Sequence, residues 1–207
     1  MIPSQTKFHD VQQNSQEWFD LRAGKSTSSN FGTICANMGK GFGDPAKRYA
    51  MKLAIERVTE MPLDEGYSNV YMDRGHELEP MARHLYEEET FETVNNGGFF
   101  SNGNIGCSPD GMVRDGMIEI KSVVYNTQFE RLIKGGYDTK YKWQIEGNML
   151  ITGAAWCDFV SYCPELPENK QLYVYRVEPD PDMVKALLER LEEFEQLIND
   201  YSQILLK

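Results

Sequence analysis

Apolar residues recur along this chain in two rhythms, one returning every third or fourth position and one alternating. The longest run of the first is Val184, Leu187, Leu188, Leu191, Phe194, Leu197 and Ile198, which predicts a final helix over 182–206, entered through Pro179 and Pro181. Such a stripe needs a covering surface. The sheet is the expected one, with part of the stripe available for contacts between subunits. Near the N-terminus, Trp18, Phe19 and Leu21 mark a helix over 16–21 capped by Asn14 or Ser15. Ser26, Thr27 or Ser28 would cap a second helix that turns Phe31, Ile34 and Cys35 inward. Asp44-Pro45 opens a third that reaches about Thr59, with Tyr49, Leu53 and Val58 along its buried face. Tyr71, Leu78, Met81, Ala82, Leu85 and Tyr86 mark a fourth, which Pro80 should kink or restart. Further helices are predicted over 126–132 and 141–150, the second with Trp143, Ile145, Met149 and Leu150 as its apolar positions.

The alternating rhythm predicts strands over 91–94, 99–100, 156–162 and 172–177, separated by turn signals at 95–98 and at Asn102-Gly103. Asp115-Gly116 reads as a two-residue hairpin turn, with 117–121 as the returning strand. A period of two puts Glu119 and Lys121 on one face and Ile118 and Ile120 on the other. The strands over 91–94 and 99–100 should form a twisted meander with this hairpin. The segments 37–44, 61–68 and 164–170 read as connections. The order is helices, a β-hairpin core, helices, two strands and a long helix. It implies one α/β domain over 1–207 with a central mixed sheet flanked by helices.

Composition changes this picture little: 41% hydrophobic and 26% charged residues are ordinary for a soluble globular chain. No apolar run approaches membrane-spanning length and the first residues carry no apolar signal core, so no membrane association is expected and the cytoplasm is the expected compartment. Cys35, Cys107, Cys157 and Cys163 are spaced as separate reduced thiols and not as a cluster-binding group. The net charge of −11 matters more, because it opposes binding nucleic acid through bulk electrostatics. Any such contact must be local, with the acidic runs at Glu87-Glu88-Glu89 and 189–195 on solvated helix faces. The glycine-rich loop 37–44 lacks the Gly-Lys-Ser/Thr ending of a phosphate-binding loop, although Lys40, Lys47 and Arg48 could touch backbone phosphate.

The candidate chemistry lies in the hairpin. Cys107-Ser108-Pro109-Asp110-Gly111 precedes Glu119-Ile120-Lys121, and pairing of the two arms would bring Asp110 beside Glu119. Two carboxylates and an ammonium at one point suit metal-assisted phosphodiester hydrolysis. Mg²⁺ takes a few carboxylate oxygens, keeps several waters, activates one of them and neutralises the leaving oxygen. A lysine beside the ions can act on the attacking water, because burial and nearby cations lower its pKa.

These residues match the PD-(D/E)xK nuclease signature, and the fuller string around Asp110 resembles the phage lambda exonuclease family, the YqaJ-type viral recombinases. Other stretches share the resemblance: Trp18 with Leu21-Arg22 and Gly24, the Ser/Thr-rich 26–29, Gly75 with Glu79, and Gln144 in a helix. The resemblance implies a restriction-endonuclease-like core and a Mg²⁺-dependent 5′→3′ exonuclease, with Mn²⁺ as an alternative ion. Such an enzyme resects double-stranded DNA ends to leave 3′ tails for recombination. It implies a ring of three subunits, a single-strand-annealing partner protein, and a phage or prophage source. It assigns Asp110, Glu119, the Ile120 carbonyl and Glu79 to the metal site, and Lys121 to the attacking water with Gln144 orienting it. Arg22 and Ser29 would hold the terminal 5′-phosphate, where a helix start with a hydroxyl and a guanidinium would make an anion site. His76 and His84 stay outside the metal site, since magnesium prefers oxygen. Two competing readings are a structure-specific endonuclease on the same fold and a non-catalytic DNA-binding or assembly protein.

Overall fold

The structure, a computed structural model, describes residues 5–63 and 70–207. The side chains of 64–73 lie outside that description, and with them most of the polar connection expected over 61–68 and the inward place expected for Tyr71. The described strands form two four-stranded mixed sheets where one was expected. The first contains β1 (Lys7–His9), β2 (Ser26–Thr27), β3 (Phe99–Asn102) and β4 (Ile105–Cys107) in the order β1-β3-β4-β2, with β2 parallel to β4. The second contains β5 (Gly111–Val113), β6 (Gly116–Ser122), β7 (Cys157–Tyr162) and β8 (Leu172–Val177) in chain order. There β6 and β7 run parallel and the two outer pairs antiparallel. Pro109 stands at the break between β4 and β5, and having no N–H it cannot continue a ladder. The strand expected over 91–94 is irregular: Phe91 is 93% exposed with a φ of +58°, and pairing is confined to a single bridge from Asn95 to Met112.

The helices follow the apolar rhythm closely. They are α1 (Gln16–Arg22), α2 (Phe31–Ile34), α3 (Asp44–Thr59), α4 (Val70–Thr90), α5 (Tyr125–Lys134), α6 (Lys142–Thr152), α7 (Glu168–Gln171) and α8 (Pro181–Leu205). The Ser15 hydroxyl caps α1 by accepting the Trp18 N–H at 3.2 Å. The second helix is shorter than expected, because Ser26 and Thr27 are drawn into β2 and 28–30 form a 3₁₀ turn. Pro80 does not break α4, which runs through it. Pro80 is exposed, so water can reach the carbonyl that its missing N–H leaves unbonded.

The second sheet is covered on both faces. Ile118, Ile120, Val160 and Tyr162 meet Ala82 and Tyr86 of α4, while Met117, Cys157 and Phe159 meet Ile145 and Met149 of α6. No face of this second sheet remains for α8. Its stripe (Leu187, Leu191, Phe194 and Ile198) packs instead on Ala46, Ala50, Leu53 and Ala54 of α3, with Ile151 of α6 beneath. The alanines let the two helices approach closely. All four cysteines are buried and free. Among the described residues no helix is long and apolar enough to cross a membrane.

Candidate active site

Strands β5 and β6 turn through Arg114-Asp115, and Val113 pairs with Gly116. The turn therefore lies one residue earlier than Asp115-Gly116, and Arg114 carries the left-handed φ of +50°. Gly116 is required by packing, since a Cβ there would stand 2.2 Å from the Trp156 ring. Gly111 pairs with Ile118, and this register brings Asp110 back to the strand. The Ile120 N–H donates to Asp110 Oδ2 at 2.6 Å.

Glu119 lies beside that contact, 1% exposed, on the face that α6 covers. Three donors converge on its carboxylate. Lys121 Nζ and Gln144 Nε2 donate to Oε1 at 2.5 and 2.6 Å, and Asn148 Nδ2 donates to Oε2 at 3.0 Å. Gln144 thus grips Glu119, the carboxylate that also holds Lys121. Lys121 also lies over the Tyr141 ring, 5.0 Å from its centroid. From the α4 side, Arg83 donates to the Asp110 carbonyl and stands 3.8 Å from Glu79 Oε1.

Charge is crowded here. Burial pushes the Glu119 carboxyl up to about 7, against Lys121 and with help from Asp110 and Glu79. Glu79 is also pushed up to about 7, by burial and then by Asp110, with Arg83 and Lys121 opposing. Burial works to lower the Lys121 pKa, but Glu119 and Asp110 outweigh it and raise it. The downward shift expected of this lysine is therefore not what these neighbours produce.

Among the described residues no three carboxylate, imidazole or thiol groups come close enough to enclose a metal by themselves. The donors are nonetheless of one kind: the Asp110 and Glu119 carboxylates, the Ile120 carbonyl next to Glu119 in sequence, and the Glu79 carboxylate, whose charge is felt by Glu119 and which itself feels Asp110. Burial is the main cause of both upward shifts, and the neighbouring carboxylates add to it. This set fits a hard divalent cation that keeps several waters.

Arg22 and Ser29 meet at Thr27. The Arg22 guanidinium lies 3.9 Å above the Trp18 ring, and its Nη2 donates to Thr27 Oγ1 at 3.4 Å. Ser29 Oγ is 3.3 Å from the same Thr27 oxygen, so Thr27 stands between the two. The helix start expected here is a 3₁₀ turn followed by the four-residue α2, too short to supply much of a dipole. Trp18 Nε1 donates to Ser108 Oγ at 2.8 Å, which ties this cluster to the chain two residues before Asp110. Residue-by-residue reading missed Asn148, Tyr141, Arg83 and Thr27. Asn148 carried a signal, lying one helical turn after Gln144 and so on the same face. Arg83 carried none.

A mixed sheet flanked by helices, with two carboxylates and a lysine on one hairpin, defines a nuclease fold. The profile of the YqaJ-like viral recombinase domain matches residues 17–155, and the chain belongs to that family. Among solved structures it is similar to an alkaline exonuclease, LHK-Exo from Laribacter hongkongensis, with 32% identity and a TM-score of 0.81 over 92% of this chain and 96% of that one. The same exonuclease in complex with dAMP matches at 33% identity and a TM-score of 0.81, over 92% of this chain and 96% of that one. A phage-related exonuclease from Haemophilus somnus 129PT shares the fold at 16% identity and a TM-score of 0.66, over 87% of this chain and 95% of that one. No curated protein sequence matches this chain.

Proposed function

We propose that this protein is a Mg²⁺-dependent 5′→3′ exodeoxyribonuclease that resects double-stranded DNA ends, leaving 3′ single-stranded tails for phage-type recombination. The observation that carries the proposal is the convergence of Asp110, Glu119 and Lys121 on one hairpin, in a chain of this family that is similar along most of its length to an alkaline exonuclease. Asp110, Glu119 and the Ile120 carbonyl hold the metal, with Glu79 close to the same site. The bound ion supplies an activated water and charge neutralisation at the leaving oxygen. Mn²⁺ can take the same oxygen ligands.

The chain's own residues do the rest. Gln144 and Asn148 fix the Glu119 carboxylate, and Lys121 stays an ammonium that positions the attacking water. Arg22 and Ser29 hold the terminal 5′-phosphate. The enzyme works as a homotrimeric ring beside a single-strand-annealing protein, in the cytoplasm of a bacterial host.

The test is digestion of linear duplex DNA with Mg²⁺, Mn²⁺ or chelator, on ends carrying 5′-phosphate or 5′-hydroxyl. Metal-dependent loss from the 5′-phosphorylated strand, with closed circles spared, is the expected result. Cutting of circles would replace the reading with an endonuclease, and no cleavage with either ion would replace it with a binding or assembly role.

A further inference from the structure

The segment that carries Arg22 and Ser29 is braced from α3. Tyr49 of α3 brings its hydroxyl under the segment that carries both. The hydroxyl accepts the Thr27 N–H at 3.0 Å and donates to the Lys25 carbonyl at 3.3 Å. It also lies 3.3 Å from Thr27 Oγ1. The Thr27 hydroxyl is the hub: it accepts from Arg22 Nη2 at 3.4 Å and from Asn30 Nδ2 at 3.3 Å. A hydroxyl has two acceptor positions and one hydrogen. Both positions of Thr27 are filled by these donors, so the Ser29 hydroxyl cannot spend its hydrogen there. That hydrogen and the other Arg22 N–H groups stay available to an incoming anion, and Ser29 is exposed to receive one.

The backbone beneath is held from the same helix. Glu56 accepts the Gly24 N–H at 2.8 Å, and Arg57 Nε donates to the Gly24 carbonyl at 2.7 Å while its guanidinium forks onto Glu195 of α8. Gly24 has a φ of +70°, and a Cβ there would stand 2.8 Å from Arg57 Cγ. The turn between Arg22 and Ser26 is thus locked against α3 at both ends.

We propose that Tyr49 is a positioning residue for end recognition: through Thr27 it orients Arg22 and Ser29 for the terminal 5′-phosphate of DNA. The inference rests on the reading that those two residues hold that phosphate. It predicts a substrate-specific defect. Tyr49→Phe keeps the ring that stacks on Phe194 at 5.8 Å and removes only the hydroxyl.

The experiment measures kcat and KM on duplexes with 5′-phosphate and 5′-hydroxyl ends for wild type, Tyr49→Phe, Arg22→Ala and the double variant. Tyr49→Phe is expected to raise KM for phosphorylated ends by about tenfold, the scale of one hydrogen bond. Its kcat and its action on hydroxyl ends should stay near wild type, while its thermal midpoint should fall by a few degrees, because the buried Thr27 N–H loses its partner. The double variant should be no worse than Arg22→Ala alone, because both act through one contact. Loss of the preference in Arg22→Ala with wild-type preference in Tyr49→Phe would overturn the role of Tyr49 alone. So would additive losses, or equal losses on both ends. An unchanged preference in Arg22→Ala would overturn the phosphate reading, and the role of Tyr49 with it.

Discussion

Asn148 offers the sharpest test of how the hairpin works. It is fully buried, and its Nδ2 is one of three donors to the Glu119 carboxylate. Its Oδ1 has no partner among the described residues, so Asn148→Leu removes one useful contact and one unsatisfied atom at similar volume. A hydrogen bond to a charged group contributes about 1.5–3 kcal/mol. At about 1.4 kcal/mol per pKa unit, losing it should raise the Glu119 pKa by about one to two units. That carboxyl is already pushed up to about 7 by burial, so the variant holds its proton more tightly at neutral pH. A cation must displace that proton. The half-saturating Mg²⁺ concentration at pH 7 should therefore rise about 5- to 50-fold. The gap should close as pH rises past the new pKa, and the rate at saturating Mg²⁺ should change little. The assay is exonuclease rate against Mg²⁺ concentration at several pH values, with thermal unfolding as a check on folding. A half-saturation point unmoved at pH 7, or a deficit equal at every pH, would refute this account.

Other outcomes follow from the same geometry. Lys121→Ala should abolish cleavage while leaving end binding and folding largely intact, read by digestion and by gel shift; full activity would remove Lys121 from the mechanism. Glu146 is buried on α6 and accepts only the Asp180 N–H among the described groups, and burial pushes its carboxyl up to about 7, against that hydrogen bond and with the Asp180 charge adding to the rise. A folded pKa above the unfolded one means that folding holds a proton, so stability falls as pH rises from about 4.5 through 7. Glu146→Gln should thus raise stability at pH 8 by up to about 3 kcal/mol and give no gain at pH 4, measured by denaturant unfolding. Gly116→Ala forces a methyl into the Trp156 ring and should cost about 1–3 kcal/mol by the same method.

Much of this molecule is written in local patterns. The helical stripes, the Ser15 cap and the alternation at Glu119 and Lys121 depend on neighbours a few residues away. Their elements appear within a few residues of where the rhythm puts them. The hairpin turn was misplaced by one residue because Gly116 looked like a turn glycine. Its real constraint, the Trp156 ring, lies 40 positions along the chain. The strand over 91–94 failed because alternation needs an edge to pair with, and Phe91 turns outward instead.

The sequence by itself determined the α/β class and the hairpin, and its spacing set Asp110 across from Glu119. Those features follow from strand period and turn chemistry, which act over short separations. Only the tertiary structure decided that Glu79 and Arg83 reach the Asp110 end of the hairpin, and that Asn148 joins Gln144 on Glu119. It alone placed Tyr49 beneath Thr27 and set α8 on α3. These contacts depend on which surfaces stay uncovered once the other elements have packed. With both faces of the second sheet already closed by α4 and α6, the apolar stripe of α8 had to find another partner.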